Sequence, residues 1–252
     1  MGTIIFLIIL VLLWQGGFWL TVDVLEVFKS YSVPSPAGVA ERFVELCSDG
    51  TLLKATGNSL LRGMIGFVVA VVIGVILGLL IHQFSYLQKH MKPLVLGIQT
   101  LPSVCWVPFS ILWFGLSTQA ILFVVVMGAA FSVAISVDNA IKNVPPIYRL
   151  AALTMGADKK QLYLHVILPA SLPELITGLK QGWSFAWRAL MAGEVMTTSI
   201  GLGQTLVMGR DLADINQVML VMVIIVLVGV VIEKGIFSAI ERRIMKKRGL
   251  AI

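Results

Sequence analysis

Charge is scarce in this sequence. Only 13% of its 252 residues are Asp, Glu, Lys or Arg, about half of the ~25% usual in a soluble domain. That shortage excludes an ordinary water-soluble globule, and a hydrophobic share of 58% excludes a disordered chain. Cysteine is nearly missing. Cys47 and Cys105 fall at different expected depths, so no bridge between them is expected and no disulfide framework exists. His82, His90 and His165 have no metal-ligand spacing and read as surface groups. No G-x-x-x-x-G-K-[ST] stretch is present to cradle nucleotide phosphates. No workable Ser/His/Asp or Cys/His arrangement offers a nucleophile. The chain is therefore not expected to be an enzyme on its own, nor to hold a cofactor or metal.

Long apolar runs are what the sequence has in quantity, and the mean hydropathy is +0.95. Six runs stand at roughly 3–20, 60–82, 93–114, 118–137, 172–196 and 216–238. Each is near the ~20 residues that cross a bilayer as a helix. Backbone polar groups in lipid must be satisfied within the segment, so the expected fold class is all-α and polytopic. The first run lacks a positive leader and a small-x-small cleavage site and reads as a retained helix. Putting both termini inside places Lys89, Lys92, Lys142, Arg149, Lys159, Lys160 and the Arg242–Arg248 cluster on the cytoplasmic side. Lys29, Arg42, Lys54 and Arg210 fall outside, with Arg62 near a border. The net charge of +6 is then explained by topology and anionic headgroups, and no nucleic-acid partner is needed. The expected organisation is a first helix and outer segment at 1–58, a five-helix core at 59–245, and a basic tail at 246–252. Within 21–58, Val39, Phe43, Val44 and Leu46 form the apolar side of a short helix suited to the membrane surface.

The connection at 142–170 is long and punctuated. Pro145 and Pro146 end the fourth run and can begin a short helix. Ile147, Leu150 and Leu153 recur every three residues as one apolar stripe. Gly156 suits a left-handed conformation that closes this helix. Asp158 with Gln161 spells a capping box for a second helix, which has Leu162 and Val166 on one face. Pro169 is expected to stop it, and Ser171 with Glu174 to open the fifth run through another capping box. Two uses fit such a hairpin. It packs on its own bundle or on lipid, or it docks its stripe into a groove on a cytoplasmic partner.

Ionisable residues inside spans point to function. In the fifth run Lys180, Ser184 and Arg188 form a polar stripe at helical spacing, with Trp183, Trp187 and Glu194 on an adjacent face. Arg188 lies roughly 24 Å along the helix from residue 172, in the outer half of the membrane. Its planar fork suits a sulfonate, nitrate or carboxylate. Equally, it reads as a structural arginine bonded to carbonyls or to a neighbour's carboxylate. Glu194, near the outer border, is open to the same two readings. In the third run Pro102 and Pro108 remove helix hydrogen bonds, so this span is kinked or broken. That serves either a pore-lining gate or static packing, and Gln99, Thr100 and Ser103 offer polar groups beside it. The candidate translocation path is therefore Gln99, Ser103, Ser184, Arg188 and Glu194. Gly74 and Gly78 make a G-x-x-x-G suited to close helix approach. "SIGLGQTL" at 199–206 reads as an outer loop and helix start.

The order Ala151-Ala152, Gly156, Val166, Leu168-Pro169 resembles the EAA loop of binding-protein-dependent ABC importer permeases. That motif runs E-A-A, three residues, Gly, nine residues, Ile, one residue, Leu-Pro. Leu150 stands where the family has Glu, and Val166 where it has Ile. "VPSPAGVAERF", "LPSVCWVPFSILWFGLS" and "AWRALMAGEVMTTSIGLGQTL" look like the nitrate, sulfonate, taurine and bicarbonate subfamily. The resemblance implies a type I importer permease fold in a bacterial inner membrane. It implies a homodimer, a cytoplasmic ATPase dimer that binds ATP and Mg, and an extracytoplasmic substrate-binding protein. It also implies ATPase coupling through Leu150, Ala151, Ala152, Gly156, Ala157, Leu162, Val166, Leu168 and Pro169. The solute expected is a small anion, with a heterocyclic vitamin precursor as the alternative. A secondary transporter would favour an inverted repeat, and no convincing self-similarity joins the halves.

Overall fold

The computed structural model describes residues 2–29 and 31–247, and among them every regular element is helical. The basic tail expected at 246–252 lies outside the described residues from 248 onward. Helix α1 is Gly2–Phe18 and widens into a π-helical turn at Trp19–Val24. Then come α2 (Pro36–Ser48), α3 (Thr51–Gln83), α4 (Ser85–Gln99), a 3-10 turn (Ser103–Cys105) and α5 (Trp106–Phe114). Helix α6 is Thr118–Lys142 and α7 is Pro146–Thr154. The short α8 (Lys159–Gln161) passes through a π-helical segment (Leu162–Ile167) into α9 (Leu168–Val195). Helices α10 (Leu202–Asp211) and α11 (Ile215–Ile232) follow, and a last π turn leads to α12 (Ser238–Lys247).

Four stretches are long and apolar enough to cross a membrane: Thr51–Gln83, Thr118–Lys142, Lys159–Val195 and Ile215–Ile244. The third expected run is a bent pair, Ser85–Gln99 and Ser103–Phe114, whose arms meet at 94°. If it is one span, the total is five, and Ile8–Val24 adds a shorter apolar helix. The expected six is thus an approximate count. The bend has a covalent cause. Pro102 takes an extended ψ of 135° and has no N–H to continue α4, and the Thr100 hydroxyl donates to the Gly97 carbonyl at 2.7 Å.

Pro169 does the opposite of what its chemistry suggested. It does not end a helix. The chain runs helically from Lys159 to Val195, and Ser171 and Glu174 lie inside it rather than at its start. Ser171 Oγ donates to the Leu168 carbonyl at 3.0 Å instead of capping an end. The π-helical segment just before Pro169 explains the continuity. There Leu168 N–H reaches Tyr163 O, five residues back, and the widened turn makes room for a residue with no donor.

By packing, the chain divides into two units, Met1–Leu60 with Glu194–Val228, and Leu61–Gly193 with Gly229–Ile252. In the first, Arg42 Nε lies 2.6 Å from Asp214 Oδ2, and Ser35 N–H donates to Asn216 Oδ1 at 3.1 Å. Leu46 of α2 is buried, whereas Phe43 and Val44 on the expected apolar side are exposed. Before α3, the Thr51 backbone N–H donates to Asp49 and holds its carboxyl below the usual range. The second unit centres on α6, whose inner face is Val133, Val137 and Ile141, joined by Val144 and Ile167. Helix α3 meets α6 through Gly74 and Gly78. A Cβ on Gly74 would lie 2.6 Å from the Ala130 carbonyl oxygen, and one on Gly78 would lie 2.6 Å from that of Ala134. Backbone cannot move aside as a side-chain tip can, so this approach requires glycine.

Gly78→Leu is expected to force the two helices apart and cost about 1–3 kcal/mol or more. Thermal melting of the detergent-purified chain should show a lowered midpoint, with Leu80→Ala, on an exposed position of α3, as the neutral comparison.

Candidate translocation cavity and cytoplasmic hairpin

The break after α4 opens a cavity of about 380 Å³. Its lining includes Gln99, Thr100, Pro102, Ser103, Phe185 and Arg188. Two of the expected path residues on the broken helix, Gln99 and Ser103, are thus brought together with Arg188 of α9. Arg188 is exposed. Its Nε donates to the Ser184 carbonyl at 3.1 Å, and its guanidinium lies 4.7 Å from the Phe185 ring centre. One donor is held by backbone and the plane rests on an aromatic face, which positions the remaining N–H groups. Gln99 Oε1 is buried without a hydrogen-bond partner, a polar group that a solute or water can satisfy. Ser184 contributes its carbonyl to Arg188 rather than a side chain to the lining. Lys180, on the same stripe, lies 3.4 Å from Glu233.

Glu194 is placed elsewhere. It is fully buried and does not line the cavity. Its Oε2 accepts from Ser59 Oγ at 2.7 Å and from Gly203 N–H at 3.0 Å, while Ser59 Oγ accepts from Leu202 N–H at 2.8 Å. A carboxylate and a hydroxyl together satisfy the first N–H groups of α10, at the positive end of its dipole. Its partner Ser59 stands on α3, 135 residues away along the chain, and was not among the residues that the sequence pointed to.

From Pro145 to Gln161 the hairpin has the geometry its punctuation encodes. Gly156 has φ of +82°, Ala157 N–H bonds Ala152 O at 3.0 Å, and Gly156 N–H bonds Leu153 O at 3.0 Å. This is the paired closure of a helix end that favours glycine. Asp158 Oδ1 accepts from Gln161 N–H at 2.6 Å, and Gln161 Oε1 accepts from Asp158 N–H at 3.0 Å, a complete capping box. Ala152 is buried and Ile167 sits in the core cluster, which anchors the hairpin to α6. Leu162, Val166 and Pro169 are half-buried, Ala157 likewise, and Ala151 and Leu168 are exposed. The stripe Ile147, Leu150 and Leu153 is exposed, and Met155 reaches 87% exposure, so the apolar face points away from the protein's own core.

Residues 70–246 match the family described as binding-protein-dependent transport system inner membrane component. Among curated relatives, a protein of Methanocaldococcus jannaschii, provisionally named as an ABC transporter permease, is 32% identical over 77% of this chain and 73% of its own length. The taurine transport system permease protein TauC of Escherichia coli is 26% identical over 92% of this chain and 86% of its own. The nitrate import permease protein NrtB of Synechocystis is 25% identical over 81% of this chain and 78% of its own. Among solved structures, the inward-facing MetNI methionine ABC transporter aligns with a TM-score of 0.65 at 22% identity. It covers 77% of this chain and 96% of the matched chain, a likeness of fold.

Glu194→Ala is expected to unfasten the start of α10 at a cost of about 2 kcal/mol. Thermal melting should fall for Ala and fall less for Glu194→Gln, which keeps an acceptor.

Proposed function

We infer a function from the premise that this chain belongs to the family of binding-protein-dependent transport system inner membrane components. It is a multi-pass membrane protein, the permease subunit of an ABC importer of the taurine, sulfonate and nitrate type. We propose that the α7–α8 hairpin docks a separate cytoplasmic ATPase, and that a small anionic solute passes the cavity at the helix break. The observation that carries the docking reading is the exposed Ile147, Leu150 and Leu153 stripe on a hairpin with fixed ends. Leu150 in the place of the family's Glu makes that contact apolar at its first position. Two copies of the chain, with termini in the cytoplasm, form the path. An extracytoplasmic binding protein delivers the solute. ATP and Mg belong to the ATPase, whose phosphate-binding loop this sequence lacks.

Arg188 supports the choice of an anion. It is a cation at the mouth of a cavity, held by the Ser184 carbonyl and Phe185, with N–H groups left for a sulfonate or nitrate. No acidic side chain lines the same cavity among the described residues.

Two outcomes are expected. Gly156→Glu places a charged side chain on a backbone at positive φ and should abolish copurification of a P-loop ATPase while membrane insertion persists; an ATPase retained at wild-type yield would sink the docking assignment. Arg188→Ala should lower taurine or nitrate uptake about tenfold or more in an assembled complex, in keeping with the loss of a charge-assisted contact. Arg188→Lys should recover part of it, since it keeps the charge and loses the fork. Unchanged uptake by Arg188→Ala would remove this residue from the path.

A further inference from the structure

Asp138 of α6 is a carboxylate with no exposed side-chain surface. Lys92 Nζ donates to its Oδ2 at 2.7 Å and Lys142 Nζ donates to the same oxygen at 2.8 Å. His82 Nδ1 lies 3.4 Å from Oδ1. One lysine balances one carboxylate, so the second cation is more than neutralisation requires. The two lysines differ in where they come from. Lys142 is one turn along the same helix, whereas Lys92 belongs to α4 and also donates to Asn139 Oδ1 at 3.1 Å. Lys92 therefore ties two helices, and Lys142 does not.

Each of the tied helices leads somewhere. Helix α4 ends at Gln99, on the cavity, about 10 Å beyond Lys92 along its axis. An apolar contact of Ile81, Val95 and Ile135 packs beside the tie. Helix α6 leads to the hairpin. Arg149 of α7 donates from Nη2 to the Ile141 carbonyl at 3.0 Å, and Val144 and Ile167 close on Ile141. The last turns of α6 are thus held by the hairpin through Arg149 and by α4 through Lys92.

We propose that Lys92 and Asp138 are positioning residues for transport, a charge tie that delivers movement of the hairpin to the helix break beside the cavity. This rests on the hairpin being the ATPase-docking element. A push on α7 moves the end of α6, and the ion pair obliges α4 to follow, because separating it would strip the largely buried Lys92 ammonium of both its α6 acceptors, Asp138 and Asn139. The Gln99 end of α4 then shifts against Arg188. Neither Lys92 nor Asp138 touches the solute.

Cys105 supplies a reporter, since its thiol is free and exposed just after the break. In a Cys47→Ser background, the complex with its copurifying ATPase would be treated with N-ethylmaleimide, without nucleotide and with ATP and vanadate, and ATP hydrolysis would be measured alongside. The nucleotide should change the Cys105 modification rate by about fivefold or more in the parent and in Lys142→Met. The change should be lost in Lys92→Met and return in Lys92→Arg. Loss alike in Lys92→Met and Lys142→Met, or a full response in Lys92→Met, would overturn the tie. So would failure of Lys92→Met to assemble where Lys142→Met assembles, no recovery by Lys92→Arg, or no response in a parent complex that holds its ATPase. A parent that binds no ATPase would overturn the docking reading, and this proposal with it; the pattern among the variants bears on the tie alone.

Discussion

The approach of α3 to α6 sets the terms for the second unit. Two glycines one turn apart let backbone rest on backbone, with the Ala130 and Ala134 carbonyls where side chains would otherwise stand. In a bilayer there is no water to expel between helices, and such close packing does the work of a hydrophobic core. The consequence is visible in burial. The apolar stretch of α6 is 61% buried, against 33% for α3, 22% for Lys159–Val195 and 17% for Ile215–Ile244. Helix α6 is the axle, and the elements with functional promise hang from it. The hairpin leaves its C-terminal end, and α4 is fastened to its last turns.

Three prolines show how one chemical deficit gives different structures. Pro102 breaks its helix, and the break opens a cavity. Pro93 sits within α4, which continues past it. Pro169 is carried through by a widened turn, so the hairpin's second helix and the fifth span form one continuous rod of 37 residues. The hairpin's second helix and Arg188 stand on this one rod with no loop between them.

Polar groups sort by burial and partnership. Glu194 and Asp138 are both fully buried, yet both are satisfied: one by a helix start and Ser59, the other by lysines from two helices. Arg188 is the contrast, exposed at a cavity with only part of its donor set engaged within the chain. A charge that the fold already satisfies is not free for a ligand, and one left facing a cavity is available to one.

The sequence by itself determined the helical class, the broken third span, the glycine contact of α3, and the hairpin's punctuation from Pro145 to Gln161. These are local or periodic properties. A left-handed Gly156, a capping box at Asp158 and Gln161, a missing N–H at Pro102 and an absent Cβ at Gly74 each act within a turn or at one interface. What only the tertiary structure decided was partnership. That Pro169 is absorbed rather than obeyed depends on a π turn held by Ile167 in the α6 core. That Glu194 caps α10 with Ser59, and that Lys92 finds Asp138 rather than solvent, depends on which faces meet across 135 and 46 residues of chain. Asp138 and Lys142 stand four residues apart on one helix, but the lysine from α4 carries no local signal. Spacing along a helix predicts neighbours on that helix; the neighbour from another helix is chosen by packing, which no local pattern encodes.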